Sequence, residues 1–303
     1  MPAHSCDLRG ALKMTAPDIN PAIPPVLDGF GALASRYKLL LSDVWGVVHN
    51  GEAAYEAACA ALKKARDSGT TVILISNAPR PGVVVAKQIA RWGVPADCYD
   101  TIVASGDVAR TEIETRPDAK IFHLGPSRDL PNYDGLPNAM VGEDDCDLVV
   151  VTGPFNDEVE GPDDYREMFA RLKQRDVLML CANPDIVVER GDKLIWCAGA
   201  LAQVYEELGG KVIYAGKPHA PIYDLAFETA AKIRGNRVAK NEVLAIGDGA
   251  RTDLKGAALQ GIDCLFITGG IHAADFAEEN NRAGEIFAEQ AAWPVGMMHR
   301  LRW

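Results

Sequence analysis

Leu39 to Gly51 reads LLLSDVWGVVHNG, and this stretch decides the fold. Three leucines run into Ser42 and Asp43, and Val44, Trp45 and Gly46 follow. A continuous apolar run that stops at a carboxylate before a turn reads as a strand buried on both faces of a parallel sheet. The pattern recurs outward along the chain, in KLLLSD, TVILISN, TIVASG, KIFHLG, DLVVVTG, VLMLCAN, KVIYAGK, VLAIGDG and DCLFITG. Helical periodicity lies between these runs. Tyr55, Ala58, Leu62 and Ala65 share one face, with Gly69 as a C-cap. Ile222, Leu225, Ala226, Thr229 and Ile233 share another, after Pro221 in the first turn. Strands alternating with helices predict an α/β fold with a Rossmann-like parallel sheet. Ligands of such sheets sit at the carboxyl ends of the strands, so the polar strand ends are the places to look for chemistry.

Bulk properties narrow the function class. A length of 303 residues suggests two domains, or one domain with a large insertion. The net charge of −11 disfavours sequence-independent nucleic-acid binding, which needs Lys and Arg on the phosphates. No polybasic patch suits an anionic membrane surface, and no apolar run reaches the ~20 residues that span a bilayer. Residues 1–25 lack the apolar centre of a secretory signal, carry the Pro-rich PAIPP and are expected to form a flexible tail. Seven scattered cysteines without a C-x-x-C pair point to buried free thiols in a reducing cytoplasm.

Four strand ends carry the reactive groups. In chain order they are Asp43 after LLLS, Ser76–Asn77 after TVILI, Lys217 in YAGKP, and GDGARTD with Asp248 and Asp253 after VLAI. Each alone reads equally well as a turn, a cap or a solvated side chain. Together they offer a nucleophilic carboxylate, a hydroxyl, an ammonium and two further carboxylates. Clustered carboxylates repel one another, and hard oxygen ligands select Mg²⁺ to relieve the repulsion. The ammonium and hydroxyl suit a phosphoryl group. GDGARTD lacks the G-x-G-x-x-G spacing, which disfavours a dinucleotide-dependent dehydrogenase.

LLLSDVWGV, LISNA, GKP and GDGARTD, in this order, resemble the four motifs of the haloacid dehalogenase superfamily of phosphatases, over about residues 35–275. About 140 residues separate Ser76 from Lys217, and they contain strands and helices of their own. An α/β cap inserted there resembles the class IIA branch, which includes sugar-phosphate, nitrophenyl-phosphate and pyridoxal-phosphate phosphatases. CANPDIVV, Cys181 to Val188, is similar to the N-P-D stretch of those caps. The resemblance implies a discontinuous core of residues 26–80 and 212–303 with a cap of residues 81–211. It implies that Asp43 attacks phosphorus, that Asp43, the Trp45 carbonyl and Asp248 hold Mg²⁺, and that Ser76 and Lys217 bind phosphoryl oxygens. Backbone N–H groups after Asp43 and at Asn77 would add donors. Asp253 would reach the metal through water or orient Lys217, and Asn183 and Asp185 would meet the substrate when the cap closes. The implied partner is a small phosphorylated metabolite, and the implied assembly is a homodimer paired through the cap.

The sequence departs from that pattern at Trp45. The family's second Asp, two residues after the nucleophile, protonates the leaving group. An indole transfers no proton in the working pH range, so general acid–base catalysis worth about 10²–10⁴ in rate is missing from this position. Three readings remain open. The substrates have good leaving groups; another residue supplies the proton, with His49 ahead of His219; or the protein binds phosphorylated metabolites as a weak catalyst or regulator. The acidic runs Asp163–Asp164 and GEDDCD read as a helix start and a solvated turn, and Trp92, Trp196, Trp293 and Trp303 as packing or surface residues.

Overall fold

The computed structural model describes residues 22–190, 193–277 and 281–303; the side chains of residues 189 and 190 lie outside that description. Most of the expected flexible tail, residues 1–21, lies outside it as well.

All nine apolar runs form strands. They are β1 (Leu39–Ser42), β2 (Thr71–Ser76), β3 (Thr101–Ala104), β4 (Ile121–Leu124), β5 (Leu148–Val151), β6 (Leu178–Cys181), β9 (Lys211–Tyr214), β10 (Val243–Gly247) and β11 (Asp263–Ile267). Three further strands were not legible: β7 (Val187–Arg190), β8 (Lys193–Trp196) and β12 (Gly296–Met298). The core sheet is parallel throughout, in the order β12-β11-β10-β1-β2-β3. Chain order reverses at β1, which lies between β10 and β2. Asp43 therefore leaves the sheet at the switch point, where the crevice of an open α/β sheet opens.

β1 is buried on both faces. Leu39 and Leu41 join one apolar cluster with Ile73, Val103 and Phe266, and Leu40 joins another with Val72, Leu74 and Ile246. Two-sided burial explains why the run shows no alternation. The helix Glu56–Asp67 buries Ala58, Leu62 and Ala65, as the periodicity requires. The helix Ala220–Arg234 starts with Pro221 in its first turn and ends at Gly235 in the left-handed region.

A second parallel sheet, β4-β5-β6-β9, forms the cap, with β7 and β8 as an antiparallel hairpin beside it. This moves both expected cap boundaries. Residues 81–114 belong to the core, because the helix Gly82–Arg91 is the crossover that returns the chain to add β3 parallel to β2. At the other end β9 pairs with β6, so the cap sheet runs on to Tyr214. A buried βαβ extension and an inserted cap present the same apolar pattern, and only strand pairing separates them. Tail residues before the core are also fixed: the Pro25 carbonyl accepts the Met297 N–H and the Leu27 N–H bonds the Met297 carbonyl, extending the edge at β12.

Six cysteines among the described residues are buried. No helix among those residues is long and apolar enough to cross a membrane.

Candidate active site

The four sequence motifs converge at the carboxyl ends of β1, β2, β9 and β10, on the floor of a cavity of about 1080 Å³ between core and cap. Lys217 is its electrostatic centre. The Nζ donates to Asp43 Oδ1 at 2.6 Å and to Asp253 Oδ1 at 2.7 Å, and the side chain is buried. Burial opposes the charge on Lys217, but Asp253 and Asp43 outweigh it and hold the ammonium above its ordinary range.

Asp43, Asp248 and Asp253 bring carboxylate oxygens within 4.8 Å of one another, all three buried. Three carboxylates against one ammonium leave an excess of two negative charges in a low-dielectric place. Burial first, and then the charges of Asp43 and Asp253, push the Asp248 carboxyl well above its usual range. Oδ2 of Asp248 accepts the Ile271 N–H at 2.8 Å, while its Oδ1 and Oδ2 of Asp43 have no protein hydrogen bond among the described residues. Both Asp253 oxygens are engaged, Oδ1 by Lys217 and Oδ2 by the Gly249 N–H at 3.1 Å. These residues fit a divalent cation: two free carboxylate oxygens, the unbonded Trp45 carbonyl and a matching charge excess. Asp253, with both oxygens taken, is placed to orient Lys217.

The cradle is built on glycines. A Cβ on Gly46, at φ +78°, would lie 2.0 Å from Asp248 Oδ2, and one on Gly247 would lie 2.1 Å from the Asp253 carboxyl carbon. The backbone comes this close to the acids only where no side chain intervenes. After Gly249, Ala250–Leu254 forms one wide π-helical turn that carries Asp253 back toward Lys217.

The N–H groups of Val44, Trp45 and Asn77 have no protein acceptor among the described residues, so three backbone donors surround the end of β1 and β2. The Ser76 hydroxyl lines the cavity and accepts the Ala78 N–H at 3.2 Å. Asn77 does more than offer a backbone donor. Its Oδ1 accepts the Lys217 N–H at 2.7 Å, and its Nδ2 donates to the Lys217 carbonyl at 3.1 Å and to Asp185 Oδ1 at 2.8 Å. One buried amide thus fixes the Lys217 backbone and ties the core to the cap. Asn183 and Asp185 both line the cavity, and Asn183 Oδ1 accepts the Asp185 N–H at 3.1 Å, closing the N-P-D turn.

Trp45 and His49 do not behave as a reactive pair. The Trp45 indole lines the cavity and packs edge-on against His49 and Trp92, with centroids 5.1 and 6.0 Å away. His49 lies beneath them, 2% exposed, and does not line the cavity. Burial pushes its imidazole down to about 4, and Nδ1 accepts the Gly51 N–H at 2.9 Å. A neutral, covered imidazole with one nitrogen taken is no leaving-group acid, so the expectation for His49 is corrected to a packing role. His219 does line the cavity, but its ring stacks on Tyr214 at 4.6 Å and 5°, and burial lowers its pKa too. Trp92 and Trp196, read as packing or surface residues, both line the cavity. The Arg80–Asp129 and Arg128–Asp157 pairs, also in the wall, had no sequence signal, because their partners are far apart in the chain.

The comparisons with known proteins agree with this geometry. Residues 40–135 match a family model described as haloacid dehalogenase-like hydrolase, and residues 214–292 match a second, HAD-hydrolase-like model. The chain is similar to a haloacid dehalogenase-like hydrolase of known structure from Brucella suis 1330, with 48% identity, a TM-score of 0.82, and 92% of this chain and 100% of that one covered. It is 25% identical to the 5'-nucleotidase YutF of Bacillus subtilis over 84% of this chain and 97% of that protein. It is 23% identical to the ribonucleotide monophosphatase NagD of Escherichia coli K12 over 78% and 90%. Four motifs assembled at the carboxyl ends of the strands, a cap inserted between the second and third, and this likeness over nearly the whole length show that the chain belongs to the haloacid dehalogenase-like hydrolases.

Proposed function

We propose that this chain is a Mg²⁺-dependent phosphatase that hydrolyses a small phosphorylated metabolite through an aspartyl-phosphate on Asp43. The observation that carries the reading is the buried Lys217 ammonium shared by Asp43 and Asp253, beside unbonded backbone N–H groups at Val44, Trp45 and Asn77. An Asp43 oxygen attacks phosphorus, and the ester P–O bond breaks on the opposite side. Lys217, the Ser76 hydroxyl and the backbone donors hold the phosphoryl oxygens. Water then attacks the same phosphorus, freeing inorganic phosphate and the Asp43 carboxylate. Mg²⁺ held by Asp43, Asp248 and the Trp45 carbonyl would offset the charge of the carboxylates and the phosphoryl group.

The phosphatase and nucleotidase names of the relatives support a phosphate ester as substrate. The enclosing cap supports a metabolite over a folded phosphoprotein, and pairing of two chains through the cap and a cytoplasmic location belong to the same proposal. The test is phosphate release from p-nitrophenyl phosphate and a panel of sugar and nucleoside monophosphates, with and without Mg²⁺, and with Asp43→Asn as control. Mass spectrometry of acid-quenched enzyme should find the phosphoryl group on Asp43. Tight ligand binding with no Mg²⁺-dependent release would favour the regulator reading instead.

A further inference from the structure

We infer that Asp185, on the cap, supplies the leaving-group proton that Trp45 cannot. The inference rests on the phosphatase reading above. Seven carboxylates line the cavity. Asp43, Asp248 and Asp253 form the floor and are committed to attack, metal and Lys217. Asp129 and Asp157 are paired with Arg80 and Arg128. Glu206 accepts the Tyr214 hydroxyl at 2.8 Å. Asp185 and Glu206 alone among the seven have neither a cationic partner nor a place on the floor, among the described residues, and Glu206 is exposed whereas Asp185 is bonded to the core through Asn77.

Its geometry suits the task. Asp185 follows β6 in the turn that roofs the cavity, and Oδ1 is held by the Asn77 amide, one residue after Ser76. Oδ2 has no protein hydrogen bond among the described residues. In an in-line displacement the leaving oxygen points away from Asp43, toward the cap side. An amide donor on Oδ1 and an open Oδ2 leave the acid proton one place to sit. Burial raises the Asp185 carboxyl above its usual range, opposed by the Asn77 bond and the Lys217 charge and reinforced by Asp253. The shift is toward the protonated form. The proton on Oδ2 passes to the ester oxygen as the P–O bond breaks. The Asp185 carboxylate then takes a proton from the attacking water, and both partners return to their starting states.

The experiment compares wild type with Asp185→Asn on p-nitrophenyl phosphate and on an alkyl ester such as glycerol phosphate, with Mg²⁺ and across pH. Asparagine keeps the shape and the Asn77 bond, so the turn stays folded. The expected result is a fall of about 10²–10⁴ in kcat/KM on the alkyl ester. The kcat/KM of the aryl ester should change less than about threefold, because nitrophenolate leaves without a proton and kcat/KM does not report the later attack of water. The alkaline limb of the alkyl-ester pH profile should also disappear. Equal loss of kcat/KM on both esters would reduce Asp185 to a cap latch and overturn the inference. No change on either would overturn it too, as would a wild type that turns over the aryl ester alone. A wild type with no turnover of either ester and no phosphoryl group on Asp43 would sink the phosphatase reading itself.

Discussion

The floor of the cavity and its aromatic wall meet in the loop after β1 and follow opposite rules. Asp43 opens the floor, where Lys217, Asp248 and Asp253 are held by charge. Two residues later the wall begins, where Trp45, His49 and Trp92 are held by packing. The floor keeps its charge buried by pairing it. The aromatic part of the wall covers His49 and keeps it neutral. A proton donor would suit neither region, which is why the search for one leads across the cavity to the cap.

The sharpest way to break this division is at the nucleophile. Asp43→Asn should lower turnover of every phosphate ester by about 10⁴-fold or more, because no other carboxylate can take its place beside Lys217. The fold should survive, since Lys217 keeps Asp253. Steady-state kinetics together with a thermal melt separate the two effects.

Lys217→Met tests whether charge holds the floor. It strands Asp43 and Asp253 without a counter-charge in a buried place. Breaking a buried ion pair from one side costs about 3–5 kcal/mol, so denaturant unfolding should show a loss of that order alongside lost activity. Added Mg²⁺ should recover part of the stability, because it replaces the missing positive charge. A variant as stable as wild type without metal would mean that packing, not pairing, supports the floor.

The floor was legible in the sequence because β-strand ends and motif order fix it. Asp43, Ser76 and Asp248 each end a buried core strand or follow one directly, so a parallel sheet with a switch point must bring them together, and Lys217 enters shortly after β9 of the cap sheet. The wall was not legible. His49 reads as an exposed loop residue, and nothing local shows that Trp92, on another helix, packs over it. The cap boundary failed for a similar reason. TIVASG and KIFHLG are interchangeable as patterns, yet one pairs with β2 in the core and the other with β5 in the cap.

His49 gives the pH test of the wall. Its pKa is pushed from 6.5 down to about 4 by burial. The unfolded chain binds a proton below pH 6.5 that the folded chain refuses until about pH 4. The contribution to stability is therefore complete above pH 6.5 and is lost as pH falls toward 4, by up to about 3 kcal/mol. His49→Phe should flatten the stability profile across that window relative to wild type, in urea melts taken at half-unit steps. Parallel profiles would mean that the imidazole is charged in the folded state.

The smallest effect tests how tightly Trp45 is held. Gly51 has φ +89°, and a Cβ there would come within 2.5 Å of the Trp45 ring. Gly51→Ala adds left-handed strain to that clash and should cost about 1–3 kcal/mol in total. The two parts separate in a double-mutant cycle. With Trp45→Ala already present the ring is gone, and adding Gly51→Ala should then cost only the backbone strain, at the lower end of that range. If Gly51→Ala costs the same in both backgrounds, the indole moves freely. The wall would then be a flap able to swing aside, and a residue beneath it could reach the phosphate after all.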